Sequence, residues 1–387
     1  MPRRAAWPPA CWSLPELMES PPFWIYIAGF LLLLGPLVTV HELGHYLVGR
    51  WFGVKADAFS VGFGKELAGW TDRRGTRWKL SALPLGGYVQ FAGDMNPASQ
   101  PSEAWLNLPE HERQQTFQAK PLWQRALIVL AGPMTNLLVA IAIFAGYAMV
   151  YGKPAVPPVV QVVTENSAAA AAGIQVGDRI VAIDGQPIAG FDDISNFVLP
   201  YPGKTIAVTY TREGETSTVP VKVADREMVD RFGNKARIGL IGVGSNDVTF
   251  ESVGPLGATA FAVQSSVRVV QMTLTGLGQI LTGQRSVDEL GGPIKIAKFS
   301  GEKLSLGPLA FIEFAALISI NLAFINLLPI PALDGGHLAF YAAEAVRRKP
   351  LGPRSQEWAF RTGIAFVLAL MLFVTINDIA SLPIFGG

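Results

Sequence analysis

Four long stretches of the chain carry no charged residue: 23–40, 126–152, 314–333 and 362–377. A helix needs about 20 mainly apolar residues to cross the hydrocarbon core of a bilayer. The first run regains apolar character beyond His45 through Trp51 and Phe52, and the last is preceded by Trp358 and Phe360. The pattern predicts four membrane-spanning helices. The first is too long for a cleavable signal peptide, and it leads into polar residues instead of a small-residue cleavage site.

Between these runs the periodicity changes. Residues 78–83 and 88–91 read as two strands around Pro84-Leu85-Gly86-Gly87, with Gly62, Gly64 and Gly69 as turns before them. That makes a β-hairpin region beside the membrane. An open sheet edge in lipid leaves backbone groups unpaired, so this one must be covered by protein or take on another strand. From 158 to 245 charges return, and short β-branched runs alternate with Gly and Asp turns, which predicts a mainly-β domain. In 250–285, Val263, Val267, Val270, Leu274, Leu277 and Leu281 recur at helical spacing. They predict an amphipathic helix, either lying on the membrane surface or packed as core.

The predicted organisation is therefore an extension over 1–22, two spans with the hairpin region over 23–152, and an inserted domain over 153–250. An amphipathic segment follows over 251–307, then two further spans over 308–387. The fold class is an α-helical polytopic membrane protein with an inserted mainly-β domain.

Composition agrees with membrane spans. Of 387 residues 50% are hydrophobic and only 16% are charged, against about a quarter charged in soluble domains. The net charge of +1 gives no electrostatic case for a nucleic-acid partner. A single cysteine, Cys11, excludes an internal disulfide and a CxxC zinc ribbon. Ten Lys and Arg residues from Arg50 to Arg125 separate the first two runs, and five from Arg347 to Arg361 separate the last two. By the positive-inside rule both loops face the cytoplasm, so 153–313 and both termini face outward.

The chemistry lies at the end of the first run. His41-Glu42-Leu43-Gly44-His45 is an HExxH motif. On a helix the two histidines stand one turn apart on one face and can ligate one zinc, with Glu42 placed to take a proton from water. Ionisable residues at membrane depth are expensive and point to function. Zinc in a catalytic site takes three protein ligands. Val48 and Trp51 stand where an HExxHxxGxxH extension would put its Gly and His, so the third ligand comes from elsewhere. The third run ends in NLLPIPALDGGH, Asn326 to His337. Its two prolines break a helix and free carbonyls that lipid would penalise unless they line a site. Asp334 and His337 both lie at that break, and spacing alone does not choose between them.

Several motifs together resemble the site-2 protease family of intramembrane zinc metalloproteases, in its bacterial RseP type: HELGH, SVGFGKEL from Ser60, LPLGGYV from Leu83, AGPMTN from Ala131, GGPI from Gly291 and NLLPIPALDGG. The likeness covers roughly 23–380. The stretch Ser167 to Ile188 resembles a PDZ domain of the bacterial protease type. Residues 153–250 accommodate one such domain, where the enteric form has two. The resemblance implies His41, His45 and Asp334 as zinc ligands and Glu42 as general base. It implies that Asn326, Pro329 and Pro331 hold or unwind the substrate. It also implies that Arg237 to Val243 forms a carboxylate-binding loop, where a plain terminal strand is the alternative.

The expected function is cleavage of the transmembrane segment of single-span membrane proteins, of anti-sigma-factor or signal-peptide-remnant type, after a first external cut. The expected setting is the bacterial inner membrane, with the PDZ domain and termini in the periplasm. Partners would be those substrates, the lipid bilayer and peptide C-termini at the PDZ domain. A non-enzymatic PDZ receptor or scaffold is the alternative, and it predicts function without Glu42. A metal transporter using the same ligands would need further intramembrane acids along a path, which the sequence lacks.

Overall fold

The structure is a computed structural model that describes residues 21–93, 109–229, 235–245, 249–283, 286–287, 290–349 and 353–380. Most of the expected N-terminal extension lies outside the described residues. The chain begins with helix α1 (Phe23–Trp51), strands β1 (Ala56–Thr71) and β2 (Arg77–Phe91), helix α2 (Glu110–Arg113) and helix α3 (Leu122–Tyr151). Next come β3 (Lys153–Ala155), β4 (Val162–Val163), α4 (Ala168–Ala171), β5 (Arg179–Ile183), β6 (Gln186–Pro187) and α5 (Phe191–Val198). Strands β7 (Thr205–Arg212), β8 (Glu215–Lys222), β9 (Ala224–Val229), β10 (Lys235–Leu240), β11 (Val243–Gly244) and β12 (Thr249–Glu251) follow. The chain ends in α6 (Pro255–Leu281), α7 (Pro293–Ser305), α8 (Pro308–Asn326), α9 (Asp334–Arg347) and α10 (Pro353–Ala380). Two compact units result, one of residues 147–255 with 275–282, the other of the remaining described chain.

In the helical unit, α1, α3, α8 and most of α10 are long and apolar enough to cross a membrane. The third differs from its sequence expectation. It starts earlier, at Pro308, and stops at Asn326, because a residue before proline is pushed out of the helical region and Pro329 lies just ahead. Helix α6 was expected either on the membrane surface or packed as core. Of its Val and Leu stripe, Val263, Val267, Leu274 and Leu281 are exposed, and Val270 packs inward. Its buried side instead carries Ala258, Ala262 and Ser266, and Val269 and Val270 pack on Ala140, Ala316 and Ile320. Lipid supplies no hydrophobic drive between helices, so small residues that let backbones approach make the contact.

The hairpin is more folded than the sequence suggested. β2 runs unbroken from Arg77 to Phe91, and its two limbs take opposite sides of β1. Ser60 is registered with both Tyr88 and Lys79, while Trp70 on the far limb of β1 meets Trp78. Four limbs thus lie in the order 87–91, 56–61, 77–81, 66–71. Gly62 and Gly64, with φ of +92° and +86°, bend β1 within the strand and are not turns between strands. Phe59, Val89 and Phe91 pack with Tyr46 of α1 and Ile128 of α3. The far end leaves Leu67, Trp70 and Leu83 exposed.

The mainly-β unit holds a four-stranded antiparallel sheet in the order β6-β5-β7-β8. Ile180, Ile183, Ile206, Val208 and Val221 fill its core with Ile194 and Val198 of α5. Between Ser167 and Ile188 a short helix, α4, is followed by strand β5 and a tight turn at Asp184-Gly185. The stretch Arg237 to Val243 is not one strand. It ends β10, turns at Gly242 (φ +80°) and enters β11. The Ile241 carbonyl accepts the Ala169 N–H, and a Cβ on Gly242 would lie 2.2 Å from Ser167 Cβ.

Candidate metal centre

Helix α1 continues through the HExxH motif to Trp51, so His41 and His45 share a face by the helical period. Gly44 and Gly132 bring α1 and α3 together there. A Cβ on Gly44 would meet Thr135 Oγ1 at 2.3 Å, and one on Gly132 would meet His45 Nε2 at 2.3 Å and His41 Nε2 at 2.8 Å. Gly132 therefore lets α3 come close against the Nε2 side of both imidazoles.

Asp334 arrives from the break between α8 and α9. The chain folds back through residues 327–333 with Ala332 at φ +111°, a conformation that costs a non-glycine residue free energy. Gly335 and Gly336 make the fold-back possible. Added Cβ atoms would lie 2.3 Å from the Leu328 carbonyl oxygen and 2.4 Å from that of Ile330. On the other side α10 passes with Gly363 against the Pro331 carbonyl. Thus the prolines set the loop and the glycines seat it.

The three groups converge. His41 Nε2 lies 3.2 Å from His45 Nε2 and 3.1 Å from Asp334 Oδ2, and His45 Nε2 lies 3.6 Å from the same oxygen. Tetrahedral zinc with bonds near 2.0–2.1 Å separates its ligand atoms by about 3.3–3.4 Å, so the triangle has the size of one zinc face. Asp334 Oδ2 is buried and has no hydrogen-bond partner among the described residues. Such an orphaned acceptor, faced by two imidazole nitrogens, suits a cation. His45 Nδ1 lies 2.8 Å from the Ile128 carbonyl oxygen. That bond requires the Nδ1–H tautomer and leaves Nε2 with its lone pair.

Glu42 lines the same cavity, about 220 Å³ in volume, with Asn326, His337, Tyr341 and Phe360. The Val89 N–H of β2 donates to Glu42 Oε2 at 3.1 Å, and Gly87 lets the strand pass beside the Glu42 side chain. The structure thus brings together His41, Glu42, His45, Asp334 and Asn326. Pro329 and Pro331 do not line the cavity but shape the loop beneath it. His337 does line it, one turn after Asp334. Sequence reasoning missed the Val89 bond and the seating of Gly363. A glycine inside an apolar helix was the only signal for the latter.

HExxH on a membrane-length helix, completed by an acid from a second, broken helix, defines a zinc metalloprotease carried on membrane helices. Residues 29–370 match the model of peptidase family M50, and the chain belongs to that family, as the site-2 protease motifs led us to expect. Its metal is zinc. A relative from Agrobacterium fabrum that carries a provisional zinc-metalloprotease name is 48% identical over 362 residues, covering 92% of this chain and 96% of the relative. Metalloprotease MmpA of Caulobacter vibrioides is 36% identical over 388 residues, covering 94% and 97%. Among solved structures, the PDZ domain of an SdrC-like protein from Listeria monocytogenes matches 22% of this chain and 82% of its own at 21% identity, with a TM-score of 0.18.

Proposed function

We propose that the protein is an intramembrane endopeptidase that cleaves the transmembrane segments of single-span membrane proteins. The observation that carries this reading is the convergence of His41, His45, Asp334 and Glu42 in one cavity built by apolar, membrane-length helices. His41 Nε2, His45 Nε2 and Asp334 Oδ2 hold zinc. Zinc supplies Lewis acidity, which polarises a peptide carbonyl and makes water a nucleophile near neutral pH. Val89 holds Glu42 Oε2, so Oε1 takes the water proton and passes it to the departing amine nitrogen. The peptide C–N bond breaks as the water oxygen bonds the carbonyl carbon.

A transmembrane helix hides its carbonyls in internal hydrogen bonds, so it must unwind before attack, and its freed backbone needs partners. The limb 87–91 is an outer limb of the hairpin sheet and lies beside Glu42. A substrate strand added along it gains main-chain bonds at the right depth. Asn326 lines the cavity and bonds the unwound segment, while Pro329 and Pro331 hold the loop that carries Asp334. The mainly-β unit is a PDZ domain facing the periplasm of an inner-membrane protein. It admits substrates already trimmed by a first external cut, of anti-sigma-factor or signal-peptide-remnant type.

The test uses purified protein in detergent with a single-span substrate. Zinc-dependent products cut within the apolar segment, lost on chelation and in Glu42→Gln, are the expected result. Cleavage that persists in Glu42→Gln defeats the assignment of the base. Deleting residues 158–245 should admit substrates whose outer domain is still attached, and unchanged selectivity would remove the gate.

A further inference from the structure

The two histidines are held differently at their outer nitrogens. His45 Nδ1 faces a backbone carbonyl, that of Ile128 at 2.8 Å, and a carbonyl can only accept. At His41 the corresponding place is taken by a side chain. Nδ2 of the Asn136 carboxamide, 1% exposed on α3, stands 3.3 Å from His41 Nδ1 as the amide is placed. A carboxamide can accept through Oδ1 or donate through Nδ2, and a half-turn exchanges the two with no change of shape. Asn136 Oδ1 is buried and without a hydrogen-bond partner among the described residues. The residue's backbone is tied as well: Ser319 Oγ, fully buried on α8, donates to the Asn136 carbonyl at 2.8 Å. The chain of contacts thus runs from α8 through α3 to the imidazole on α1.

Ligation through Nε2 requires that the imidazole carry its proton on Nδ1. That proton needs an acceptor, and in this place the acceptor is Oδ1. We infer that Asn136 is a positioning residue of the metal centre: its Oδ1 accepts the Nδ1–H of His41, fixing Nε2 as the ligating atom and the ring plane toward Asp334. The inference rests on the reading of His41 as a ligand, and it assigns the AGPMTN segment a task beyond helix packing. A ligand whose outer nitrogen is held binds metal more tightly, because tautomer and orientation are settled before the metal arrives.

The test is zinc affinity of the full chain in detergent, measured by competition with a chromophoric chelator. Wild type and His41→Ala set the scale. If wild type takes up no zinc, or His41→Ala binds it equally well, the ligand assignment itself fails. With that scale in place, Asn136→Leu, similar in shape but without an acceptor, should bind zinc about 10–100-fold more weakly. Asn136→Asp, which offers only acceptors, should keep wild-type affinity or exceed it. Wild-type affinity in Asn136→Leu overturns the inference, as does a loss in Asn136→Asp as large as in Asn136→Leu. A merely structural role predicts the opposite order, since a buried carboxylate disturbs packing more than leucine does. A second measurement needs no variant. In the zinc-loaded wild type with nitrogen-15 histidine, His41 Nδ1 should report as protonated, and an unprotonated Nδ1 overturns the inference even if Asn136→Leu does not fold.

Discussion

In the mainly-β unit Asp178 is buried at 1% exposure with every role filled: Arg212 grips both carboxylate oxygens at 2.7 and 2.8 Å, and the Gln175 N–H donates to Oδ2 at 2.8 Å. At the break between α8 and α9, Asp334 is also drawn inward, but its Oδ2 lacks any hydrogen-bond donor among the described residues and is faced by two imidazoles. The end of α10 provides a third case. Buried Asp378 accepts backbone N–H bonds from Gly292, Ile294 and Lys295 at the start of α7. A carboxylate left unpaired at such depth costs far more than one fully bonded. The saturated ones hold elements together, and the unsaturated one fits the proposed role of a metal ligand. That difference also gives the GGPI run its place, as the backbone socket that locks α10 to α7.

The comparison can be broken most decisively at Asp334. Asp334→Asn should lower zinc affinity by more than the roughly 100-fold that loss of an outer partner costs, and product formation should vanish, as read by zinc titration and product mass. If Asn serves as well as Asp, the orphaned oxygen is not a ligand. Glu42→Gln should come next, with a rate loss of about 10²–10⁴-fold while zinc stays bound. Together the pair separates holding the metal from moving the proton.

Gly132→Ala tests the approach of α3. Its Cβ would sit 2.3 Å from His45 Nε2, so we expect zinc affinity to fall about 10–100-fold, like loss of an outer partner. Undiminished affinity would mean that the two helices separate without cost.

The smallest effect belongs to the saturated carboxylate. Asp178→Asn should destabilise the mainly-β unit by about 1–2 kcal/mol, visible as faster amide exchange in β5 and β7, with zinc affinity unchanged. Burial works against the Asp178 charge, but the Arg212 guanidinium and the Gln175 N–H outweigh it and hold the carboxyl below its ordinary range. A depressed folded value means that the stabilisation is complete above about pH 4, the ordinary value for aspartate, and is lost as pH falls through the folded value. Wild-type exchange in β5 should therefore quicken below pH 4, and Asp178→Asn should flatten that dependence.

Much of this was legible in the residues themselves. Spans show in length and hydropathy because lipid accepts only backbone that bonds to itself, and a helix does this locally. HExxH shows because four residues of helix make one turn, so spacing alone puts His41 beside His45. The stripe of α6 left open whether Val263 and Val267 pack as core or lie outward, because periodicity marks an apolar face without saying what covers it; in the structure they are exposed, and Ala258 and Ala262 are buried. The limbs of β2 were placed near their true ends, but their position on either side of β1 depends on Gly62 and Gly64 bending a continuous strand where the sequence reads turns.

The amino-acid order by itself determined the four membrane helices, the histidine pair on the first of them and the break in the third, because each follows from neighbours within a turn or two of helix. The motif resemblance pointed to Asp334, where spacing alone did not choose, and only the tertiary structure brought its Oδ2 to those histidines, set the Val89 N–H on Glu42 and stood Asn136 beside His41. These pairs lie between 47 and 95 residues apart or on opposite sides of the chain. Contacts of that kind depend on where Gly44, Gly132, Gly336 and Gly363 let backbones touch, and no local pattern carries that information.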